Sequence, residues 1–314
     1  MKKIIAQLFA ISCFVSCGNK VDSNKSSSAT PILNEYNSLG NYLFYENFDS
    51  LPLDKSIRYN SRGTVTENGK YYINKEHVDL EANNMGALAT VLQSNFGKKA
   101  NRAEIEVDID KHVDKNNISN LSFDFFVPKT YELDLVNEGR EVMIFQIHSQ
   151  PEDGENWDDY RENIQFNRPS VAVYFGIKDN VHYLTLRYGL NGKPNLDFDN
   201  YKWFLAGIKE VQLGTWNTIK LSTKFSITNT GYIQAWLNNE SFSAFNGKDN
   251  KIYGANMHNN ALPYLKMGLY RYWADSHSHE VYYDNLRITS TIEELLSEEE
   301  KKYLNKYPHV NSHL

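Results

Sequence analysis

Apolar and polar positions alternate in short runs along most of this chain, and Asn, Gly, Asp or Pro separates the runs. The runs are rich in β-branched and aromatic side chains, and this pattern predicts β-strands. Twelve strands are predicted, at residues 64–66, 71–73, 87–92, 102–109, 121–127, 142–148, 170–176, 182–188, 216–222, 232–237, 265–273 and 280–288. So many strands with so few helical stretches predict an all-β domain over residues 41–290, built as a two-sheet β-sandwich or jelly roll.

The two ends of the chain depart from this pattern. Residues 291–306 begin with a Thr cap and carry apolar residues at helical spacing, which predicts a short C-terminal helix with a tail up to residue 314. At the other end, two lysines and a short apolar run lead to Phe-Val-Ser-Cys at residues 14–17. This segment resembles the signal peptide of a bacterial lipoprotein, with cleavage after residue 16 and acylation of Cys17. Residues 17–40 then form the lipidated cysteine and a flexible polar tether.

The amino-acid composition limits which kinds of partner this chain can bind. The chain has 314 residues, with 33 Lys and Arg against 39 Asp and Glu, for a formal net charge of −6. An acidic balance argues against nucleic-acid binding, which needs many Lys and Arg side chains. Both cysteines, Cys13 and Cys17, lie in the N-terminal segment, so the exported domain has no disulfide and no cysteine metal site. We expect a monomer held by the lipid on Cys17 at the outer membrane, the cell surface or the periplasm.

Three predicted strands separate an apolar face from a face of chemically useful groups. The apolar face carries Ala103, Ile105, Val107 and Ile109, then Met143, Phe145 and Ile147, then Leu265, Met267 and Leu269. The opposite face carries Arg102, Glu104, Glu106 and Asp108, then Gln146 and His148, then Tyr264, Lys266, Gly268, Tyr270 and Tyr272. If the sheet is concave on this side, these groups line a groove for an extended ligand.

Taken singly, these side chains have ordinary structural explanations. Arg102 and Glu104 fit a surface ion pair, His148 fits a hydrogen-bonded structural histidine, and Tyr270 fits a packing residue on a strand. Alternation shows only that they can face one groove.

The order of the motifs carries a more specific signal. Asn-Arg-Ala-Glu-Ile at 101–105, Gln-Ile-His at 146–148 and Tyr-Leu-Lys-Met-Gly-Leu-Tyr-Arg at 264–271 occur in this order. Together they resemble the motif strands of jelly-roll polysaccharide lyases, namely the superfamily of heparin lyase I and glucuronan lyase, and alginate lyases share similar motifs. The segments 214–217, 231–238 and 281–288 resemble further strands of that superfamily. The resemblance covers about residues 41–290 and implies a concanavalin-like jelly roll.

The resemblance also implies a reaction and a set of site residues. Such lyases remove the C5 proton of a uronate and expel the O4 substituent, which leaves a 4,5-unsaturated sugar. Arg102 and Gln146 would stabilise the charge that develops on the carboxylate, as an oxyanion hole does. His148 or Tyr270 would act as the base, and Tyr270 as the acid. The residues implied in substrate binding are Lys266, Glu104, Arg271, Tyr264 and Arg187, although Arg271 has the opposite strand parity.

Two other functions compete with a lyase. A retaining glycosidase of the laminarinase type needs two carboxylates about 5 Å apart on one strand, and the row of Glu104, Glu106 and Asp108 lacks the usual Glu-x-Asp-x-x-Glu spacing. A tethered, non-catalytic glycan-binding protein could use the same groove without cleaving its ligand.

The acidic chain favours an anionic polysaccharide with few or no sulfates, with glucuronan and alginate as the leading options. No cofactor is required for this reaction. Sandwich lyases and lectins often hold a structural calcium ion, and Glu46, Asp49 and Asp284 are the candidate ligands, although the sequence has no dense ligand loop.

Overall fold

The computed structural model describes residues 44–48, 54–59, 69–74, 87–92, 101–110, 112–113, 117–157, 168–191, 201–242 and 251–290. Contacts divide the chain into the units Met1–Leu39 and Gly40–Leu314, and every described residue lies in the second. The predicted signal peptide, tether, strand 64–66 and C-terminal helix, together with Asp49, lie outside the described residues. Among the described residues, no helix is long and apolar enough to span a membrane.

Sixteen strands, numbered β1 to β16 along the chain, make up most of the described part, and they form two antiparallel sheets. The first sheet has seven strands, in the order β10 (Tyr201–Glu210), β9 (Val181–Asn191), β8 (Val171–Lys178), β7 (Glu141–His148), β15 (Tyr264–Arg271), β5 (Asn101–Val107) and β2 (Ile57–Tyr59). This sheet brings all three motif strands together, since β15 lies between β7 and β5.

The second sheet has nine strands. Seven of them follow the order β13 (Glu240–Ser241), β12 (Tyr232–Leu237), β11 (Trp216–Lys224), β6 (Ile118–Phe126), β16 (His279–Thr289), β4 (Ala87–Leu92) and β3 (Gly69–Asn74). The two others, β1 (Phe44–Glu46) and β14 (Ile252–Tyr253), pair with β16 and β12. The only other regular element in the described part is a 3-10 turn at Leu135–Asn137.

One large apolar core lies between the sheets, because each sheet turns its Val, Ile, Leu and Phe side chains towards the other. Phe123 of β6 stacks on Phe145 of β7 with ring centroids 4.8 Å apart, and this contact joins the sheets. Tyr283 of β16 also crosses the core, and its hydroxyl lies 2.8 Å from the Ile144 carbonyl oxygen and 3.2 Å from that of Gly268. The all-β, two-sheet sandwich predicted from the sequence is therefore confirmed.

Two β-bulges interrupt the first sheet at the positions that Tyr283 contacts. The register between β7 and β8 shifts between Met143 and Phe145, and the register between β15 and β7 shifts between Met267 and Tyr270. Gly268 has a φ of 136°, and a Cβ added there would collide with the Ala103 carbonyl. Only glycine fits such a conformation and such a close approach.

The bulge in β7 corrects one sequence expectation. Val142, Ile144, Phe145 and Ile147 all contribute to the core between the sheets. Met143, expected to share the face of Phe145 and Ile147, instead packs on the outer face with Ala172 and Tyr270. The extra residue of a bulge reverses the alternation of side chains, which a strict period of two cannot anticipate.

Candidate active site

The register of β5, β15 and β7 aligns the motif residues on the outer face of the seven-stranded sheet. Arg102 pairs with Tyr270. Lys266 pairs with Glu106 on one side and with Gln146 on the other. Tyr264 pairs with His148. Although this face points away from the core, the side chains of Glu104, Gln146, His148, Lys266 and Tyr270 are all buried, which is typical of a recessed site.

Glu104 connects two of the predicted site residues. The Gln146 amide Nε2 donates a hydrogen bond of 2.6 Å to Glu104 Oε1, and Arg102 Nε lies 3.7 Å from Glu104 Oε2. Burial alone would lower the pKa of Arg102, but the Glu104 carboxylate and the Tyr270 hydroxyl hold it above its ordinary value. Arg102 therefore carries its positive charge in the site.

Tyr270 lies against this pair. The Arg102 guanidinium carbon is 3.9 Å from the centroid of the Tyr270 ring, a cation–π contact. The ring also packs with Met143 and Ala172 and is 4.4 Å, between centroids, from the ring of Tyr272. The guanidinium of Arg102, the phenol of Tyr270 and the ring of Tyr272 therefore form one contact group on this face.

His148 lies farther along the face. Its Nδ1 is 2.8 Å from the Ser149 carbonyl oxygen, which can only accept, so Nδ1 carries the proton and the lone pair of the neutral ring is on Nε2. Its ring is 5.5 Å from that of Tyr264 and 5.7 Å from that of Trp157. Met143, opposite Tyr270, is five residues away along β7, a backbone separation on the order of 15 Å.

Lys266 lies between the Tyr270 and His148 groups. Its Nζ is 3.5 Å from Glu106 Oε1 and 5.2 Å from the Tyr264 ring centroid. Burial lowers the pKa of Lys266, an effect that the charges of Glu104 and Glu106 oppose and that of Arg102 reinforces. Arg102 and Lys266 thus each face a carboxylate, so the four charges at the centre of the site balance.

Residues 46–287 match the family model of polysaccharide lyases. This chain belongs to the polysaccharide lyase family. The lyase is therefore an enzyme that acts on polysaccharides, as its motif strands predict. The endo-β-1,4-glucuronan lyase of the fungus Trichoderma reesei shares its fold, with a TM-score of 0.54 and 16% identity over 80% of this chain and 96% of that one. An alginate lyase from Aplysia kurodai aligns with a TM-score of 0.48 and 12% identity, over 80% of this chain and 100% of that one. No curated protein sequence matches the lyase.

A second part of the lyase's outer face extends over β8, β9 and β10. Arg187 of β9 forms an ion pair with Glu141 of β7, and its guanidinium carbon is 4.5 Å from the Tyr174 ring centroid. Burial raises the pKa of Tyr174 to about 12, although Arg187 opposes this effect. Arg187 and Glu141 line an open cleft of about 600 Å³ together with Tyr183 and Ile208. Arg187 thus shares the face with the motif strands and reaches them through Tyr174, which packs against Met143, Ala172 and Tyr270.

Arg271 is the one predicted binding residue that the lyase does not present on this face. It is completely buried, and its guanidinium Nη1 lies 2.9 Å from Nδ1 of His279. His279 Nε2 is in turn 3.7 Å from Asp275 Oδ1. Arg271 alternates to the side opposite Tyr270, so the prediction that it binds substrate is replaced by a role in this buried network.

The network also fixes the loop after β15. Asp275 Oδ2 accepts hydrogen bonds from the Asn137 side chain (2.7 Å) and the Asp134 amide (3.1 Å). Burial disfavours the charge of Asp275, but these bonds and those from His277 and His279 hold its pKa well below the usual range. Asp134, Asp275 and His277 place three potential metal-ligating atoms close together. The hydrogen bonds already explain this arrangement.

The calcium prediction remains a prediction. Glu46 accepts hydrogen bonds from the amides of Phe48 and Asp54, each 2.9 Å long, and Asp284 accepts one of 2.6 Å from the Asn285 amide. Asp49, the third candidate ligand, lies outside the described residues.

Four residues that line the site were not among the site residues predicted from the sequence. Tyr272 is 63% exposed beside Tyr270, and its parity already placed it on this face. Trp157 packs on His148 and Tyr264 from the segment after β7, and no local pattern signals that contact. Met143 and Tyr174 reach the face where the bulge in β7 changes the register.

Proposed function

We propose that this lyase cleaves a uronate polysaccharide by β-elimination and that Tyr270 carries out both proton transfers. The observation that carries the proposal is the contact group of Tyr270, Arg102, Glu104 and Gln146, in which a phenol, a guanidinium and an amide converge on one recessed face. These are the groups that the reaction needs: a proton carrier and two donors for a carboxylate.

The uronate carboxylate binds to Arg102 and to the second N–H of the Gln146 amide. The C5 proton is a poor acid while that carboxylate keeps its full charge, and donors that strengthen as charge moves onto it lower the barrier. Because Gln146 donates its other N–H to the buried Glu104, the orientation of its amide is set before substrate arrives.

Tyr270 then removes the C5 proton as phenolate and returns a proton to the O4 oxygen as the C4–O4 bond breaks. One residue can do both only if the C5 proton and O4 lie on the same side of the sugar, as in D-glucuronate and D-mannuronate. The separation between His148 and the strand position of Tyr270 supports this arrangement over a two-residue mechanism. His148, beside Tyr264 and Lys266, contacts a neighbouring sugar.

The charge balance of the face favours a polymer without sulfate. Glu106 faces Lys266 and Glu104 faces Arg102, so little positive charge remains to attract a densely sulfated chain. Glucuronan and the mannuronate blocks of alginate fit both the charge and the stereochemistry.

The test is a panel of uronate polymers, with product followed by the ultraviolet absorbance of the unsaturated uronate. We expect turnover on glucuronan or mannuronate-rich alginate and little on guluronate-rich alginate or heparin. Binding without new absorbance would favour a glycan-binding protein, and reducing ends without absorbance would favour a hydrolase.

His148→Ala tests whether Tyr270 alone carries out both proton transfers. If Tyr270 moves both protons, the variant should lose less than about a hundredfold in kcat on a D-uronate polymer, because a general base contributes at least that much. The acid limb of its pH–rate profile should remain in place. Loss of that limb together with nearly all turnover would instead assign the base to His148.

We also propose that the lyase is a lipoprotein anchored through Cys17. The support is the basic, apolar and Cys-terminated segment of residues 1–17. In a bacterial host, Cys17→Ala should move the enzyme from the detergent phase to the aqueous phase, and a labelled fatty-acid analogue should no longer be incorporated. Unchanged partitioning and labelling would contradict an anchor at Cys17.

A further inference from the structure

Glu104 has one carboxylate oxygen that accepts no hydrogen bond from any described residue. The side chain is almost fully buried, with its Oε1 bonded to Gln146, while Oε2 has no donor among the described residues. Arg102 Nε, at 3.7 Å, attracts it electrostatically but is too far away for a hydrogen bond. A buried acceptor without a donor is costly, and native proteins seldom keep one unless water, an ion or a ligand satisfies it.

The neighbours of Oε2 restrict what that donor can be. Lys266 directs its ammonium group to Glu106, and Arg102 stacks on Tyr270 with its Nε 3.7 Å from Oε2, so neither cation donates a hydrogen bond to Oε2. Oε2 lies beside the two groups proposed to hold the uronate carboxylate, Arg102 and Gln146. A second anion at this place would be repelled by Glu104, whereas a neutral hydroxyl can donate to it.

We propose that Glu104 Oε2 accepts a hydrogen bond from a free ring hydroxyl of the bound uronate, and that the lyase therefore selects units unsubstituted at that hydroxyl. The proposal rests on the proposed uronate β-elimination and adds a substrate class to it, namely polymers that carry neither sulfate nor acyl ester at this position. A site that pairs a buried acceptor with a substrate hydroxyl discriminates strongly against an analogue that cannot donate.

Glu104→Gln reverses the polarity at the Oε2 position. Because Gln146 donates to Oε1, the new carboxamide keeps its oxygen there and places its NH₂ group where Oε2 was. We expect kcat/KM on the unmodified polymer to fall about tenfold to a hundredfold, the range for a hydrogen bond to a charged group. On the same polymer after chemical O-acetylation the loss should be smaller, so the preference for the unmodified polymer should shrink at least tenfold.

Glu106→Gln is the matched control. It removes the same charge from the same strand and face, but from a carboxylate that faces Lys266. This variant should change kcat/KM on both polymers by similar factors and keep the wild-type preference. An equal loss of preference in both variants, or an unchanged preference in Glu104→Gln, would overturn the proposal.

Calorimetric binding of unmodified and O-acetylated oligosaccharides tests the proposed reaction and the proposed role of Glu104 separately. If wild-type protein binds the unmodified oligosaccharide more tightly but forms no unsaturated product, the proposed reaction fails while the role of Glu104 stands. If it binds both forms equally, the role of Glu104 fails whatever the reaction is. If it binds neither, both fail.

Discussion

Tyr270→Phe should lower kcat on the preferred uronate polymer by at least about a hundredfold, the scale on which a general acid or base contributes. The change removes one hydroxyl and keeps the ring, so the ring's contacts with Arg102, Met143 and Ala172 remain. The melting temperature should therefore stay close to that of the wild type. Initial rates at saturating polymer and a thermal scan of the same preparation measure both quantities.

Tyr232→Phe provides the control. Tyr232 has the same exposed fraction as Tyr270, 6%, but belongs to β12 of the other sheet. Its replacement should leave kcat unchanged. Equal activity in Tyr270→Phe and wild type would remove Tyr270 from the mechanism.

Gln146→Ala should reduce kcat by about a hundredfold to a thousandfold, as the loss of one oxyanion donor does, and should raise KM much less. The amide's hydrogen bond strengthens as charge moves onto the uronate carboxylate, so removing the amide destabilises the transition state more than the bound substrate. The variant also leaves Glu104 Oε1 without its donor, at a cost of about 1–3 kcal/mol in the free energy of unfolding.

Gln234→Ala is the matched change in the other sheet, where Gln234 is a buried residue of β12. It should lower stability without altering kcat. A rise in KM with unchanged kcat in Gln146→Ala would show that Gln146 binds ground state and transition state equally, which would contradict its proposed role.

Alternation and turn residues were sufficient to predict most of the described strands. Ala87–Leu92 and Tyr232–Leu237 have the predicted bounds, and the three motif strands differ only at their ends. The alternation pattern did not predict Tyr201–Glu210, an edge strand of ten residues. A bulge between Leu205 and Gly207 breaks its alternation, so its apolar run matches no simple period.

The sequence predicts which residues share the face of the site, but not the distances between their side chains. Strand parity placed Arg102, Gln146, His148 and Tyr270 on one side, and the structure agrees. Their spacing depends on the bulges at Ile144 and Gly268, which are held by Tyr283 from the opposite sheet. Such support comes from residues far away in the chain, and no local pattern contains it.

Arg271 shows how parity and resemblance can disagree. Its position in the motif implied substrate binding, whereas its parity placed it on the core side. The parity prediction is correct, since Arg271 is buried on the core side. There His279 and Asp275 supply polar partners that offset part of the cost of burying its charge.

The most direct test of the account is to cleave glucuronan, or mannuronate-rich alginate if that is the preferred polymer, in water enriched in heavy oxygen. Mass spectrometry of the fragments separates elimination from hydrolysis, because only hydrolysis adds solvent oxygen. β-Elimination predicts fragments with an ultraviolet-absorbing unsaturated end and no solvent oxygen, and no such fragments from Tyr270→Phe at matched enzyme concentration. One heavy oxygen per cleaved bond, or undiminished product from Tyr270→Phe, would contradict the account.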